Sequence, residues 1–267
     1  MTGRPAPELE VARRALGLLD LTELSDDCTA EAVDRLCALA VGSAGRVAAV
    51  CVWPAFVRQA KDALTGTGVR VATVVNFPGG GDDADATAAE TSEALASGAD
   101  EIDVVLPYRA LLRGDTEVAA AVLDAVAAQL GPDHRMKVIL ETGELPDAAT
   151  IESAARLAID HRADFIKTST GKTPVSATLE AAATMLEVIR TSDHPVGLKP
   201  SGGIRTLDDA QAYLDLADSV MGPRWATPAT FRFGASGLHD ALVAVLEGHP
   251  SSHGSQPTAE QRLAEGY

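Results

Sequence analysis

A single (β/α)8 barrel of the α/β class is the fold this sequence predicts, and three observations carry the prediction. Eight short apolar, β-branched runs lie along the chain, at 18–21, 47–52, 69–75, 101–106, 136–140, 164–167, 196–199 and 231–234. Their centres fall roughly 25–35 residues apart, the spacing that ~250 residues give when shared among eight strand-plus-helix units. The segments between the runs carry helical periodicity, and strands alternating with helices imply a parallel sheet. An open doubly wound sheet would need phosphate-binding glycines directly after its first strand, and Asp20-Leu21-Thr22-Glu23-Leu24 has none.

The elements follow in order. Thr2 to Pro7 reads as a mobile tail, and 8–16 as an extra N-terminal helix before the first strand. From Thr29, Val33, Leu36, Cys37 and Ala40 repeat at i, i+3, i+4 and i+7, and Gly42 stops the helix. Helical stretches at 85–97 and 117–130 end at Gly98 and Gly131, and 178–190 is similarly periodic. Thr206 with Asp209 three residues on forms a capping box ahead of the stripe Ala210, Tyr213, Leu214 and Ala217. Ser236 precedes a last helix at 238–246. Residues 1–248 are therefore assigned to the barrel. Residues 249–267, polar and rich in Ser, Gly, Pro and Gln, are assigned to a mobile C-terminal tail ending in Tyr267.

Composition narrows the function. The chain has 267 residues, 46% of them hydrophobic, enough for a full core, and no apolar run approaches the ~18–20 residues that cross a bilayer. The first residues lack the apolar stretch of a secretory signal, so a cytoplasmic protein is expected. Cys28, Cys37 and Cys51 form neither an even disulfide set nor a metal-ligand spacing. A formal net charge of −16 argues against nucleic acid or an anionic membrane as partner. Of 22 basic residues only five are lysines, namely Lys61, Lys137, Lys167, Lys172 and Lys199, and three of them fall in glycine-rich turns. A guanidinium cannot deprotonate to act as an amine, so lysines retained in an arginine-rich chain draw attention.

Barrel active sites form at the C-terminal ends of the strands. Four charged residues there share inward parity within apolar runs: Asp20, Asp103, Lys167 and Lys199. An ion-pair layer closing the barrel would explain any one of them. Two lysines with two carboxylates at one mouth point further, because one ammonium disfavours protonation of the next, and a neutral lysine attacks carbonyls. Glycine-rich turns follow the last three strands, at 169–172, 201–205 and 234–237, and such turns expose backbone N–H groups suited to a phosphate. The histidines, His134, His161, His194, His239, His249 and His253, show no ligand spacing, so no metal is expected. Cys51 shares parity with Trp53 near a strand top and reads more readily as core than as pocket lining. Glu141 also stands at a strand top, where a supporting hydrogen bond and a substrate contact are equal alternatives. Lys137 begins its strand and is expected low in the barrel.

These residues carry a resemblance. The stretches Leu19-Asp20-Leu21-Thr22, Asn76-Phe77-Pro78-Gly79-Gly80, Ala99 to Val105 (containing Glu101-Ile102-Asp103), Lys137 to Gly143, Phe165 to Gly171 (containing Lys167-Thr168-Ser169-Thr170), Lys199 to Arg205 and Arg232 to Ser236 occur in order over nearly the whole chain. In them the chain resembles the deoxyribose-phosphate aldolases, class I aldolases on a TIM barrel. The resemblance implies reversible cleavage of 2-deoxy-D-ribose 5-phosphate to D-glyceraldehyde 3-phosphate and acetaldehyde, with no cofactor.

It further implies Lys167 as the Schiff-base lysine, Lys199 as the neighbour that lowers its pKa, and Asp103 as the proton-relaying carboxylate. Asp20 would sit in the network around the sugar hydroxyls, and Thr22 and Thr170 would line the substrate site. Gly171, Lys172, Gly202, Gly203, Gly234 and Ser236 would hold the 5-phosphate, and Tyr267 would swing over the site. Two residues depart from the family pattern: Ser201 stands where many relatives carry Ala, and Gly237 replaces a serine, which predicts weaker discrimination for phosphorylated sugars. Partners are then small sugar phosphates and aldehydes, without nucleic acid or membrane. A homodimer is compatible with the sequence, although nothing in it locates an interface. The alternatives are a Schiff-base aldolase for another sugar phosphate and a non-catalytic sugar-phosphate-binding barrel; paired inward lysines speak against the second.

Overall fold

The computed structural model of the chain describes residues 6–248. Its eight strands are β1 (Leu19–Glu23), β2 (Ala49–Val52), β3 (Arg70–Val75), β4 (Glu101–Val105), β5 (Arg135–Ile139), β6 (Phe165–Lys167), β7 (Gly197–Lys199) and β8 (Phe233–Ala235). Every neighbouring pair is parallel, in the order β7-β6-β5-β4-β3-β2-β1-β8. The two ends of that sheet meet through parallel bridges Leu198↔Phe231 and Ser201↔Gly234, which close the barrel. The closing bonds run from Leu198 N–H to Thr230 O at 2.9 Å and from Arg232 N–H to Leu198 O at 3.0 Å. Pairing toward β7 thus begins at Phe231 and pairing toward β1 only at Phe233. The predicted strand at 231–234 follows the first of these edges.

Helices cover the outside: α1 (Ala6–Gly17), α2 (Ala30–Ala40), α3 (Val57–Ala63), α4 (Ala84–Ala96), α5 (Tyr108–Leu112), α6 (Thr116–Ala127), α7 (Ala148–Asp160), α8 (Leu179–Arg190), α9 (Leu207–Met221) and α10 (Leu238–Leu246). Thr29, Asp83, Asp147, Thr178 and Thr206 each cap a helix by accepting a backbone N–H of its first turn. The capping box at Thr206 and Asp209 is formed in full. In α2 the buried residues are Val33, Leu36, Cys37 and Ala40, and in α9 they are Ala210, Tyr213, Leu214 and Ala217, the stripes read from the sequence. Each large side chain so buried contributes ~1.5–3 kcal/mol. The short α3 and α5, and α7 as well, have no counterpart in the sequence reading. The extra helix α1 is tied to α9 by a two-pronged Arg14–Asp218 ion pair at 2.6 and 2.5 Å.

The main apolar core lies between the strands and the helices. Inside the barrel a second, small apolar cluster of Leu24, Cys51, Ala72 and Val74 is flanked by Trp53 and Phe77, whose rings meet edge to face at 5.5 Å. Buried charged side chains of the strands occupy the remainder of that interior. The predicted tail at 249–267, including His249, His253 and Tyr267, lies outside the described residues, as do residues 1–5.

Candidate active site

Adjacent strands set charged side chains side by side within the barrel. The register pairs Asp103 of β4 with Lys137 of β5, and Lys167 of β6 with Lys199 of β7. Side chains alternate along a strand, so register neighbours point to the same face. The four residues singled out by parity meet there. Lys167 Nζ stands 3.0 Å from Asp103 Oδ2, and Lys199 Nζ stands 2.7 Å from the same oxygen and 2.6 Å from Asp20 Oδ2. Asp20, Asp103 and Lys199 are fully buried, and Lys167 is 2% exposed.

Three further charges join them. Lys137 Nζ reaches Asp103 Oδ1 at 2.7 Å and Glu101 Oε2 at 2.6 Å, with Asp20 Oδ2 at 3.7 Å. Arg232 binds Asp20 Oδ1 at 2.5 Å and Glu101 Oε1 at 2.9 Å. Lys137 is the third residue of β5 rather than the first, and its ammonium, based one inward-facing layer below Lys167 in the register, joins the carboxylate cluster. Glu101 and Arg232 were not singled out by sequence reasoning. Glu101 is two residues before Asp103 and Arg232 two before Gly234, so both share the inward parity but lie outside the C-terminal strand ends where the candidates were sought.

The charge balance decides the protonation pattern. Four buried cations, Lys137, Lys167, Lys199 and Arg232, face three buried carboxylates, Asp20, Glu101 and Asp103. Isolated charge is costly to bury, so one cation is surplus. Burial opposes ionisation of Asp103, but Lys137, Lys199 and Lys167 outweigh it and hold the carboxyl well below its usual range. Burial likewise pulls Lys137 and Lys199 down, yet Asp103 with Glu101 or Asp20 raises both above an ordinary lysine. Lys167 alone moves the other way. Burial lowers its pKa, Lys199 lowers it further, and Asp103 cannot compensate, because the one oxygen it offers is shared with Lys199.

Cys51 borders this site as part of the apolar wall. Burial, with Asp103 adding to it, pushes its thiol up to about 11, so it stays protonated at neutral pH. Thr22 is buried and donates to the Asp20 carbonyl at 2.9 Å.

The glycine turns sit at the C-terminal end of the barrel. Among the described residues the N–H groups of Gly171 and Gly203 meet no acceptor. Those of Gly202 and Gly234 do: Gly202 donates to Gly234 O at 3.2 Å and Gly234 to Pro200 O at 2.9 Å. These two N–H groups are committed to barrel closure and are not exposed as the turn composition suggested. Gly234 contributes its lack of a side chain, since a Cβ there would stand 2.5 Å from Ser201 Cβ and 3.0 Å from Lys199 Cε. Ser201 Oγ in turn donates to Ser169 O at 2.5 Å. Ser236 is exposed at the start of α10. Lys172 pairs with Asp26 at 2.8 Å and lies over the Trp53 ring at 5.9 Å. Thr170 gives both its N–H and its hydroxyl to Glu141, the supporting bond that was one of the two alternatives for Glu141. Among the described residues no cluster of His, Cys, Asp and Glu is arranged to hold a metal ion.

A model of the DeoC/LacD family of aldolases matches residues 14–238. The chain belongs to that family. It is an enzyme, an aldolase, which makes and breaks carbon–carbon bonds. A deoxyribose-phosphate aldolase of Agrobacterium fabrum is 51% identical to it over 240 residues, spanning 90% of this chain and 93% of the relative. Among solved structures, the apo form of a provisionally named deoxyribose-phosphate aldolase from Toxoplasma gondii superposes with a TM-score of 0.84 at 26% identity, over 91% of this chain and 99% of the other. A provisionally named deoxyribose-phosphate aldolase from Coccidioides immitis gives 0.77 at 32% identity, over 92% and 88%. The buried lysine cluster is thus the interior of a deoxyribose-phosphate aldolase-like barrel.

Proposed function

We propose that this aldolase cleaves 2-deoxy-D-ribose 5-phosphate to D-glyceraldehyde 3-phosphate and acetaldehyde through a Schiff base on Lys167. One observation carries the reading: Lys167 is the buried cation in surplus, in contact with a single carboxylate oxygen that Lys199 already shares. A lysine in that position gives up its proton most readily of the four and becomes a nucleophile.

The neutral amine of Lys167 adds to the C1 aldehyde of the open-chain sugar. The carbinolamine oxygen takes a proton and leaves as water, giving a protonated imine. Asp103, within reach of both Lys167 and Lys199, relays these protons, through water where the distance requires it. The imine then accepts the electron pair of the C2–C3 bond while the 3-hydroxyl loses its proton, which releases glyceraldehyde 3-phosphate and leaves an enamine. Protonation of the enamine carbon and hydrolysis of the imine release acetaldehyde and restore the amine. Run backwards, the same steps join the two aldehydes.

In this reading Lys199 stays charged and keeps Lys167 neutral, and Asp20 and Thr22 lie near the sugar hydroxyls. The turns around Gly171, Lys172, Gly203 and Ser236 take the phosphate, with Gly202 and Gly234 keeping the approach open. The same reading makes the chain a cytoplasmic enzyme of deoxyribonucleoside breakdown; no helix among the described residues is long and apolar enough to cross a membrane. Incubation with deoxyribose 5-phosphate, with the products assayed separately, is the test. Equal amounts of acetaldehyde and glyceraldehyde 3-phosphate are expected. Cleavage of a ketose phosphate in place of deoxyribose 5-phosphate would overturn the substrate assignment.

A further inference from the structure

Glu141 is the one buried carboxylate at the strand ends that the lysine cluster does not engage. It is fully buried, follows β5 in the left-handed backbone region at φ 55°, and among the described residues has no ion-pair partner within 4.0 Å. A non-glycine residue held there, and a carboxylate buried without a cation, are both costly, so its surroundings must compensate with hydrogen bonds.

They do so from one segment. Thr170 N–H donates to Oε1 at 3.2 Å and the Thr170 hydroxyl to Oε2 at 2.5 Å, while Thr173 Oγ1 lies 3.2 Å from Oε1. Because the Thr170 hydroxyl spends its proton on Glu141, its oxygen can only accept, and it accepts the Lys172 N–H at 3.0 Å. On one side of Gly171 the Thr170 donors go to Glu141, and on the other the Lys172 N–H goes to the Thr170 hydroxyl oxygen. Gly171, at φ 79°, keeps an N–H that meets no acceptor among the described residues. A carboxylate would repel a phosphate if it faced it, and here both Glu141 oxygens are occupied by donors of the turn.

We propose that Glu141 is a positioning residue for substrate selectivity: it tethers the Thr170–Thr173 turn in its anion-accepting shape and so sets the preference for phosphorylated over free deoxyribose. This rests on the reading of the turn as the phosphate site. In Glu141→Gln one of the two accepting oxygens becomes an NH2 group, so the Thr170 N–H, the Thr170 hydroxyl and the Thr173 hydroxyl compete for a single neutral acceptor and the tether loosens. Thr170→Val removes the hydroxyl arm of that link, leaves the backbone N–H arm, and keeps the side-chain volume.

The experiment measures kcat and KM of the full chain and of both variants on 2-deoxyribose 5-phosphate and on 2-deoxyribose, with melting temperature as a folding check. The expected result is a preference for the phosphate in the native protein. In Glu141→Gln, the ratio of the two kcat/KM values falls about tenfold, through KM for the phosphate. Thr170→Val gives a similar fall, and the double variant falls no further than either alone. A native preference kept in full by folded Glu141→Gln, or by Thr170→Val should the first variant not fold, overturns the proposal and leaves the phosphate site standing. An equal loss on both sugars would also overturn it, since a general structural role produces that. No preference in the native protein would sink the phosphate reading itself, and the proposal with it.

Discussion

Lys137 and Lys167 lie on adjacent strands of one barrel, both buried and both bound to Asp103, yet they are opposite in character. Lys137 touches Asp103 and Glu101 with short bonds and has Asp20 nearby, and its pKa rises despite burial. Lys167 touches one oxygen of one carboxylate, and its pKa falls. The floor of the barrel is a saturated ion cluster, whereas its mouth holds one cation more than the carboxylates can neutralise. On the proposed mechanism, what separates the structural lysine from the nucleophilic one is the number of carboxylate oxygens within reach.

The comparison can be broken at either residue. Lys167→Met is expected to lower kcat/KM by roughly 10⁴-fold or more while the fold stays intact, because the substituent removes the surplus charge along with the nucleophile. Steady-state kinetics beside a thermal melt reads both. Lys137→Met is expected to do the reverse in stability, costing ~3–5 kcal/mol by leaving Asp103 and Glu101 short of a cation. Its folded pKa lies above that of a free lysine, so the stabilisation holds throughout neutral pH and fades only as pH rises through the raised value. Denaturant unfolding at pH 7 measures it. The remaining activity should also fall, because Lys167 would then be needed as a cation.

Smaller changes sharpen the contrast. Gly234→Ala forces a methyl against Ser201 and Lys199 and is expected to reduce kcat about tenfold, by displacing the lysine proposed to keep Lys167 neutral. A fall in stability alone would count against this. Lys199→Met removes a positive neighbour and frees the oxygen of Asp103, and both effects favour the protonated form of Lys167. The acid limb of the kcat/KM profile should therefore move to higher pH by about one unit. A shift to lower pH would mean that Lys199 had not been acting through charge.

Much of the fold was legible because a barrel repeats one instruction. Apolar runs separated by capped amphipathic stretches located all eight strands, and the Thr206 capping box and the α10 boundaries agree with the structure. The short helices α3 and α5 were not seen, since five to seven residues carry too little periodicity to register. Parity brought Asp20, Asp103, Lys167 and Lys199 together correctly because alternation along a strand is strict. It missed Arg232 and Glu101 because these stand at or before the strand starts, where a charged residue reads as solvated. Side-chain length was the other obstacle: Lys137 enters the cluster through its four-carbon stem, which position alone does not reveal. The commitment of the Gly202 and Gly234 N–H groups to barrel closure depends on which strands become neighbours, and local sequence says nothing of that.

Reductive trapping tests the central claim most directly, because it asks the lysines themselves which of them is neutral. With acetaldehyde and borohydride at neutral pH, followed by peptide mapping, the account predicts an ethyl group on Lys167 and none on Lys137 or Lys199. Labelling of Lys137 or Lys199 in preference to Lys167, or labelling of none of the three in protein that still turns over substrate, would contradict it.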